Sequence, residues 1–209
     1  MKRFIFIILF FTGIGMSANA QTAKDIFTTD QIVWFGLDYS QVKLFGAIGF
    51  NDVQRVKDFY FKAWNQVILN ESDKYNLRLF LKKSNIINDL SVVEKRNELP
   101  DVSNLITDNP EDKTVLTTEK IESIIASYSP VEKEGVGLVF LMGNLDKIGE
   151  RANIYVTFFD IGSKKVLLTE EMTGKSGGAG FRNYWLGAIY DVMKTMKAKY
   201  PRWQKQYCK

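Results

Sequence analysis

Histidine is absent from this chain, and cysteine occurs once, at Cys208. The first absence excludes Ser-His-Asp and Cys-His catalysis. It also removes the side chain whose unperturbed pKa lies nearest physiological pH. Zinc and redox-metal sites lose their usual imidazole and thiolate ligands. A lone cysteine forms no intrachain disulfide, so Cys208 reads as an unpaired tail thiol and the fold rests on its core. No D-x-[DN]-x-[DN]-G calcium loop occurs either. No dense Lys/Arg stripe is present, which argues against nucleic-acid binding. After the N-terminus no apolar run approaches the roughly 18–20 residues that a spanning helix needs. Catalysis, if any, is left to carboxylates, Lys or Tyr with shifted pKa values. No metal or cofactor is expected.

The N-terminus supplies what the rest of the chain lacks. Lys2 and Arg3 precede the apolar run Phe4–Phe11, and Ala18-Asn19-Ala20 stands before Gln21. A basic start, a short apolar centre and a small-x-small signal make a secretory leader over residues 1–20. The expected mature chain begins near Gln21, carries no lipid-acceptor Cys, and works in the periplasm or outside the cell. Removing the leader leaves 209 less 20, or 189 residues, and takes Lys2 and Arg3 from 28 basic residues against 24 acidic ones. The net charge of the remainder is 26 less 24, or +2. An apolar content of 45% supports one packed domain over 21–209.

Periodicity gives the expected elements. Ile32–Leu37 and Val42–Phe45 read as strand pieces around a turn or bulge at Asp38-Tyr39-Ser40. Asn51 reads as the cap of a helix with Asp52, Gln54 and an apolar face through Ile68. Alternation over Tyr75–Lys82 predicts a half-buried strand, and Ser84-Asn85 the cap of a helix with Ile86, Ile87, Leu90 and Val93. Residues 100–116 are polar and read as a surface loop. Thr118 is expected to cap a short helix ending at Ser129-Pro130. Val136–Met142 predicts a strand buried on both faces, and Ala152–Glu171 a hairpin turning at Asp160–Lys164. The last helix carries Tyr184, Trp185, Ala188, Ile189, Val192, Met193 and Met196 on one face and is expected to close at Pro201, with an aromatic tail after it. The order predicts an α+β or α/β two-layer fold. Its mixed sheet has about five strands and a C-terminal meander, with three to four helices packed mainly on one face.

Two groups of residues are candidates for function. Gly174-Lys175-Ser176-Gly177-Gly178-Ala179-Gly180 joins a strand to a helix. The phosphate-loop pattern fails because Thr169 stands where Gly is required, and the dinucleotide pattern fails at Asn183. What survives is a closely packed connection needing positive φ, or a general anion site at a helix start helped by Lys175 and Arg182. Arg182, Asn183, Tyr184 and Trp185 cluster at that start and suit a partner surface, although both rings also fall on the apolar helix face. The second group is Asp38, Asp160 and Glu171, carboxylates that would serve a hydrolase only as a close pair. Turn-forming roles compete for the aspartates.

The hairpin adds a resemblance. A strand ending in Phe159-Asp160, a Gly-containing turn and Lys165-Val166-Leu167-Leu168 resemble the hairpin of small envelope α/β domains. Examples are the TolB amino-terminal domain and the periplasmic domain of the curli secretion channel. Those domains also place a buried strand before the hairpin and a helix after it, as Val136–Met142 and Tyr184–Met196 do. The chain is similar as well to uncharacterised exported bacterial proteins. The resemblance implies fold and compartment and assigns no functional residue. The sequence therefore predicts an exported, non-enzymatic binding or envelope-assembly domain whose partner is an envelope protein or surface component. An envelope hydrolase with paired carboxylates and a carbohydrate- or lipid-binding module stand as the alternatives.

Overall fold

The computed structural model describes residues 21–209; the expected leader lies outside them. The chain runs α1 (Asp25–Thr28), β1 (Gln31–Asp38), β2 (Lys43–Phe45), α2 (Val53–Arg55), α3 (Phe61–Asn70), α4 (Leu77–Leu81), β3 (Asn85–Asn88), α5 (Ser91–Arg96), β4 (Ile106–Thr107), α6 (Thr118–Ala126), β5 (Val136–Asp146), β6 (Arg151–Asp160), β7 (Val166–Lys175) and α7 (Gly180–Tyr207). A π-helical turn, Val56–Tyr60, joins α2 to α3.

The longest apolar run after the leader becomes β5, in which all eleven residues are buried. Its full length pairs antiparallel with β6, and β6 with β7. Its other edge is shared. β1 lies parallel to the first half, Asp38 reaching Leu141, and β2 to the second, Lys43 opposite Asn144. Next to them lie β3 on β1 and β4 on β2, both parallel. Seven strands thus occupy five positions in one mixed sheet. β1 and β2 are one sheet position interrupted by the Tyr39–Gln41 turn, which the sequence placed at Asp38–Ser40.

Both faces of the central strands are covered. Phe158 meets Trp203 of α7, whereas its neighbour Phe159 meets Tyr128 just after α6. Successive strand side chains point to opposite faces, so the two rings report two covered faces rather than one. Buried apolar residues from Ile26 to Trp203 make one continuous core. No helix among the described residues is long and apolar enough to cross a membrane.

Four expectations change. Residues 77–81 are a helix, not a strand: Asn76 Oδ1 accepts from Leu79 N–H at 2.9 Å, and Leu77, Phe80 and Leu81 are buried while Leu79 is exposed. The i, i+3, i+4 set was hidden inside a two-residue alternation. The strand follows instead, at Asn85–Asn88, because the free edge of β1 accepts it. The 100–116 segment is not wholly loop, since Ile106–Thr107 extends the sheet edge and Leu105 and Leu116 are buried.

The fourth is α7, which continues through Pro201 to Tyr207. Proline inside a helix costs about 3 kcal/mol. Burial of Tyr200 and Trp203 on either side offsets this, at roughly 1.5–3 kcal/mol for each large buried side chain. Trp203 Nε1–H also donates to Glu170 at 2.8 Å, and Tyr207 stacks on Phe27 with centroids 6.1 Å apart. Two caps shift by one residue. Asp52 Oδ1, not Asn51, accepts from Arg55 N–H at 2.9 Å, and Thr117, not Thr118, accepts from Lys120 N–H at 3.3 Å.

Candidate functional site

Three segments converge where the β5–β6 turn meets the start of α7. The first is a 3-10 turn, Ala47–Gly49, after β2. It lies directly against the β5–β6 turn: a Cβ added at Gly46 would stand 3.0 Å from Ile148 Cγ1, and one at Gly49 2.1 Å from Lys147 Cγ. The second is that β5–β6 turn, tied back by Lys147 N–H to the Phe45 carbonyl at 2.8 Å. The third is the glycine-rich loop, held to the same turn by Ser176 N–H to the Glu150 carbonyl at 2.8 Å.

The glycines act partly through close packing. A Cβ at Gly174 would lie 2.0 Å from the Ala188 carbonyl oxygen, and one at Gly187 2.1 Å from that of Gly177. Backbone cannot give way at such distances, so both positions let α7 lie flat against the end of β7. Gly178 and Gly180 adopt φ of +123° and +77°, as the sequence anticipated.

Around this loop the predicted residues divide. Trp185 is wholly buried and stacked on Phe50, centroids 5.4 Å apart. Tyr184 is half-buried, under Lys147 Nζ at 3.8 Å from the ring centroid. Its hydroxyl lies 3.4 Å from Glu150 Oε1. Arg182 and Asn183 are exposed; the Arg182 carbonyl accepts from the buried Trp64 indole at 3.0 Å. Lys175 is exposed at the end of β7, and its N–H donates to Asp191 Oδ2 at 3.0 Å. That N–H, outweighing partial burial and helped by Lys194, holds the Asp191 carboxyl below the ordinary range.

The structure adds residues that the sequence reading missed. Ile48 is 96% exposed and Ile148 69%, one on each of the two packed turns. Phe181 lies between Tyr60, Phe50 and Trp64, at 4.7, 5.9 and 6.0 Å. On one side of it a cavity of about 270 Å³ is lined by Lys147, Gly178, Gly180, Phe181, Tyr184 and Trp185. The available signal was a branched apolar residue next to glycine in each turn, Ile48-Gly49 and Ile148-Gly149.

Polar groups at and just before the start of α7 remain unspent. Ala179 occupies the cap position of α7 and provides no side-chain acceptor, so the first-turn N–H groups of Gly180, Phe181 and Arg182 have no capping side chain. Among the described residues, neither the Trp185 indole N–H nor the buried Ser176 hydroxyl has a hydrogen-bond partner. A second cavity, about 220 Å³ against β1 and β3, is lined by Trp34 and Tyr75, whose N–H and hydroxyl are likewise unpartnered. It lacks a helix N-terminus of comparable length and a flanking exposed apolar pair.

The three carboxylates are not brought together. Asp38 stands opposite Leu141 and Asp160 opposite Val136, five residues apart on β5, or about 17 Å along the strand. Glu171 shares a cross-strand row with Asp38 through Tyr155 and Leu141, three strand spacings away, or about 14 Å. Both separations exceed the roughly 5–9.5 Å of catalytic carboxylate pairs. Each has a structural task instead. Asp38 is buried and accepts from Arg96 Nε at 2.8 Å and Tyr128 hydroxyl at 2.7 Å. Asp160 accepts from Gly162 N–H at 2.9 Å in the β6–β7 turn and from Gln21 N–H at 2.8 Å. Glu171 accepts from Asn153 at 3.0 Å on the sheet surface.

No known protein family, curated protein or solved structure matches this chain.

Proposed function

We propose that this chain is an exported, non-catalytic binding domain that contacts an envelope component through the end built from the Ala47–Gly49 turn, the β5–β6 turn and the start of α7. The observation that carries the reading is two exposed isoleucines, Ile48 and Ile148, on packed turns whose Lys147 lines the Phe181–Tyr184 cavity. Single exposed apolar residues need no explanation, but two on packed turns beside a cation mark a contact surface. Export rests on the leader pattern of residues 1–20. The buried strand, hairpin and long helix that carry the likeness to small envelope domains support the compartment.

Photo-crosslinking in intact cells tests the contact face. A photoreactive residue is placed in turn at Ile48, Ile148, Leu79 and Val131, all exposed apolar positions. Adducts from positions 48 and 148 and none from 79 and 131 support the reading. Equal labelling from all four, or none from any, overturns it.

A further inference from the structure

We infer that the start of α7 is a binding site for a phosphate group, carried by an anionic amphiphile whose apolar part lies along Ile48 and Ile148. The inference rests on the contact face proposed above and assigns its ligand chemistry.

A helix N-terminus carries roughly half a positive elementary charge, and uncapped first-turn N–H groups point outward as donors. α7 has 28 residues and no side-chain cap. Glycines at 177, 178 and 180 keep side chains away from the approach, and a Cβ at Gly177 or Gly180 would meet nothing within 4 Å. Such a backbone can close on an oxyanion without obstruction.

The second observation is independent of the helix. Trp185 lines the cavity, is wholly buried, and its indole N–H has no acceptor among the described residues. A buried donor left unpaired forfeits its hydration without a replacement bond, so a native structure keeps one chiefly where something else accepts from it. The Ser176 hydroxyl, two residues before Gly178, is in the same condition. Donors of two kinds therefore border one cavity, helix amides and an indole N–H, and the Ser176 hydroxyl lies on the loop that leads to them. Lys147, over the Tyr184 ring, supplies a full positive charge at the rim. Glu150 is the acid on that rim, and it faces the Tyr184 hydroxyl. An acceptor-only ligand of small size and negative charge fits this set, which is the description of a phosphate group.

The apolar half of the ligand follows from position. Lys147 and Ile148 are consecutive, and Ile48 sits on the turn packed against them. A soluble phosphate gives those two side chains nothing to bury, whereas a lipid headgroup places acyl chains beside them.

The test uses the chain from Gln21, which holds all the described residues. Inorganic phosphate is titrated at constant ionic strength against ¹⁵N-labelled protein. The expected result is saturable shifts centred on the amides of Gly178 to Arg182, weakened about fivefold by Lys147→Gln, as for one Lys near an anionic surface. Gly177→Asp, which adds a carboxylate where a side chain has room, should abolish them while the remaining spectrum stays native. Absent or non-saturable shifts, or shifts unchanged in Gly177→Asp, overturn the site. Flotation with phosphatidylglycerol and phosphatidylcholine vesicles then identifies the source. Retention by the anionic vesicles alone, reduced tenfold or more by Ile48→Ser with Ile148→Ser, supports the amphiphile. Phosphate shifts without vesicle retention overturn the amphiphile and assign a soluble phosphate ligand. Intact phosphate shifts with no adducts from positions 48 and 148 would remove the contact-face reading and leave the anion site standing; the reverse pattern would do the opposite.

Discussion

The cluster around Asp38 and the start of α7 both gather polar groups against the core, and they treat them in opposite ways. Asp38 accepts from Arg96, Tyr128 and the Ser40 N–H. Arg96 then reaches Ser127 and Ser40 hydroxyls at 2.7 and 2.8 Å. Nearby, Asn65 and Asn97 side chains serve the backbone of Leu37 and Tyr39. At α7 the helix amides, the Trp185 indole and the Ser176 hydroxyl are unspent. A closed network fastens β1 to α5 and α6, while the open one leaves its donors without partners among the described residues. Burial alone does not separate these roles; hydrogen-bond closure does.

The sharpest way to break the contrast is Asp38→Ala. It strands a guanidinium and a buried phenol, and should cost about 3–5 kcal/mol in urea unfolding. A loss below about 1 kcal/mol would mean that the cluster is not the fastening described. Next comes Gly174→Ala, which drives a methyl onto the Ala188 carbonyl. Lifting α7 from β7 should cost about 1–3 kcal/mol; a neutral result would deny the close approach.

Asp146 gives a third effect, near the open site but closed in itself. Burial pushes its carboxyl up, but Lys113 at 2.9 Å, the Gly149 N–H and Arg151 outweigh it and hold the group below its usual range. A depressed folded-state pKa contributes stability that is present above the unfolded value, near 3.9, and is lost as pH falls through the lower folded value. Asp146→Asn should therefore cost about 1–2 kcal/mol at pH 7 and flatten the stability curve below about pH 4. An unchanged acid limb contradicts the assignment. The smallest expected change in stability, within about 0.5 kcal/mol, belongs to Ile48→Ser with Ile148→Ser, because both side chains are mostly exposed. That pair should remove vesicle retention while melting like the parent.

The parts legible in the sequence were those set by long, one-sided patterns. β5 follows from seven consecutive apolar residues, the hairpin from its turn at Asp160–Lys164, and the core face of α7 from its spacing. Short pieces were not legible. Leu77, Leu79 and Leu81 alternate as a strand would, and only the Asn76 cap and the surface position of Leu79 identify a helical turn. Pro201 reads locally as a stop, because the contacts that carry the helix past it, Tyr200 to the Ile26 carbonyl and Trp203 to Glu170, span more than a hundred and about thirty residues.

The candidate site was half legible. Lys175, Arg182, Asn183, Tyr184 and Trp185 do mark the region, but Lys175 faces Asp191 and Trp185 acts from beneath the surface. Lys147, Ile48 and Ile148 were missed, because their meeting depends on β2 and β5 pairing in register. No local pattern encodes that.

Two buried indoles at the start of α7 allow the most direct test. Trp64 donates to the Arg182 carbonyl at 3.0 Å, whereas Trp185 has no acceptor among the described residues. Their side-chain N–H resonances, assigned with Trp64→Phe and Trp185→Phe, are followed as phosphate is added at constant ionic strength. The Trp185 resonance should shift saturably and move downfield as it gains an acceptor, while that of Trp64 stays near its starting position. A Trp185 resonance that does not respond, or that moves no more than Trp64, would contradict it.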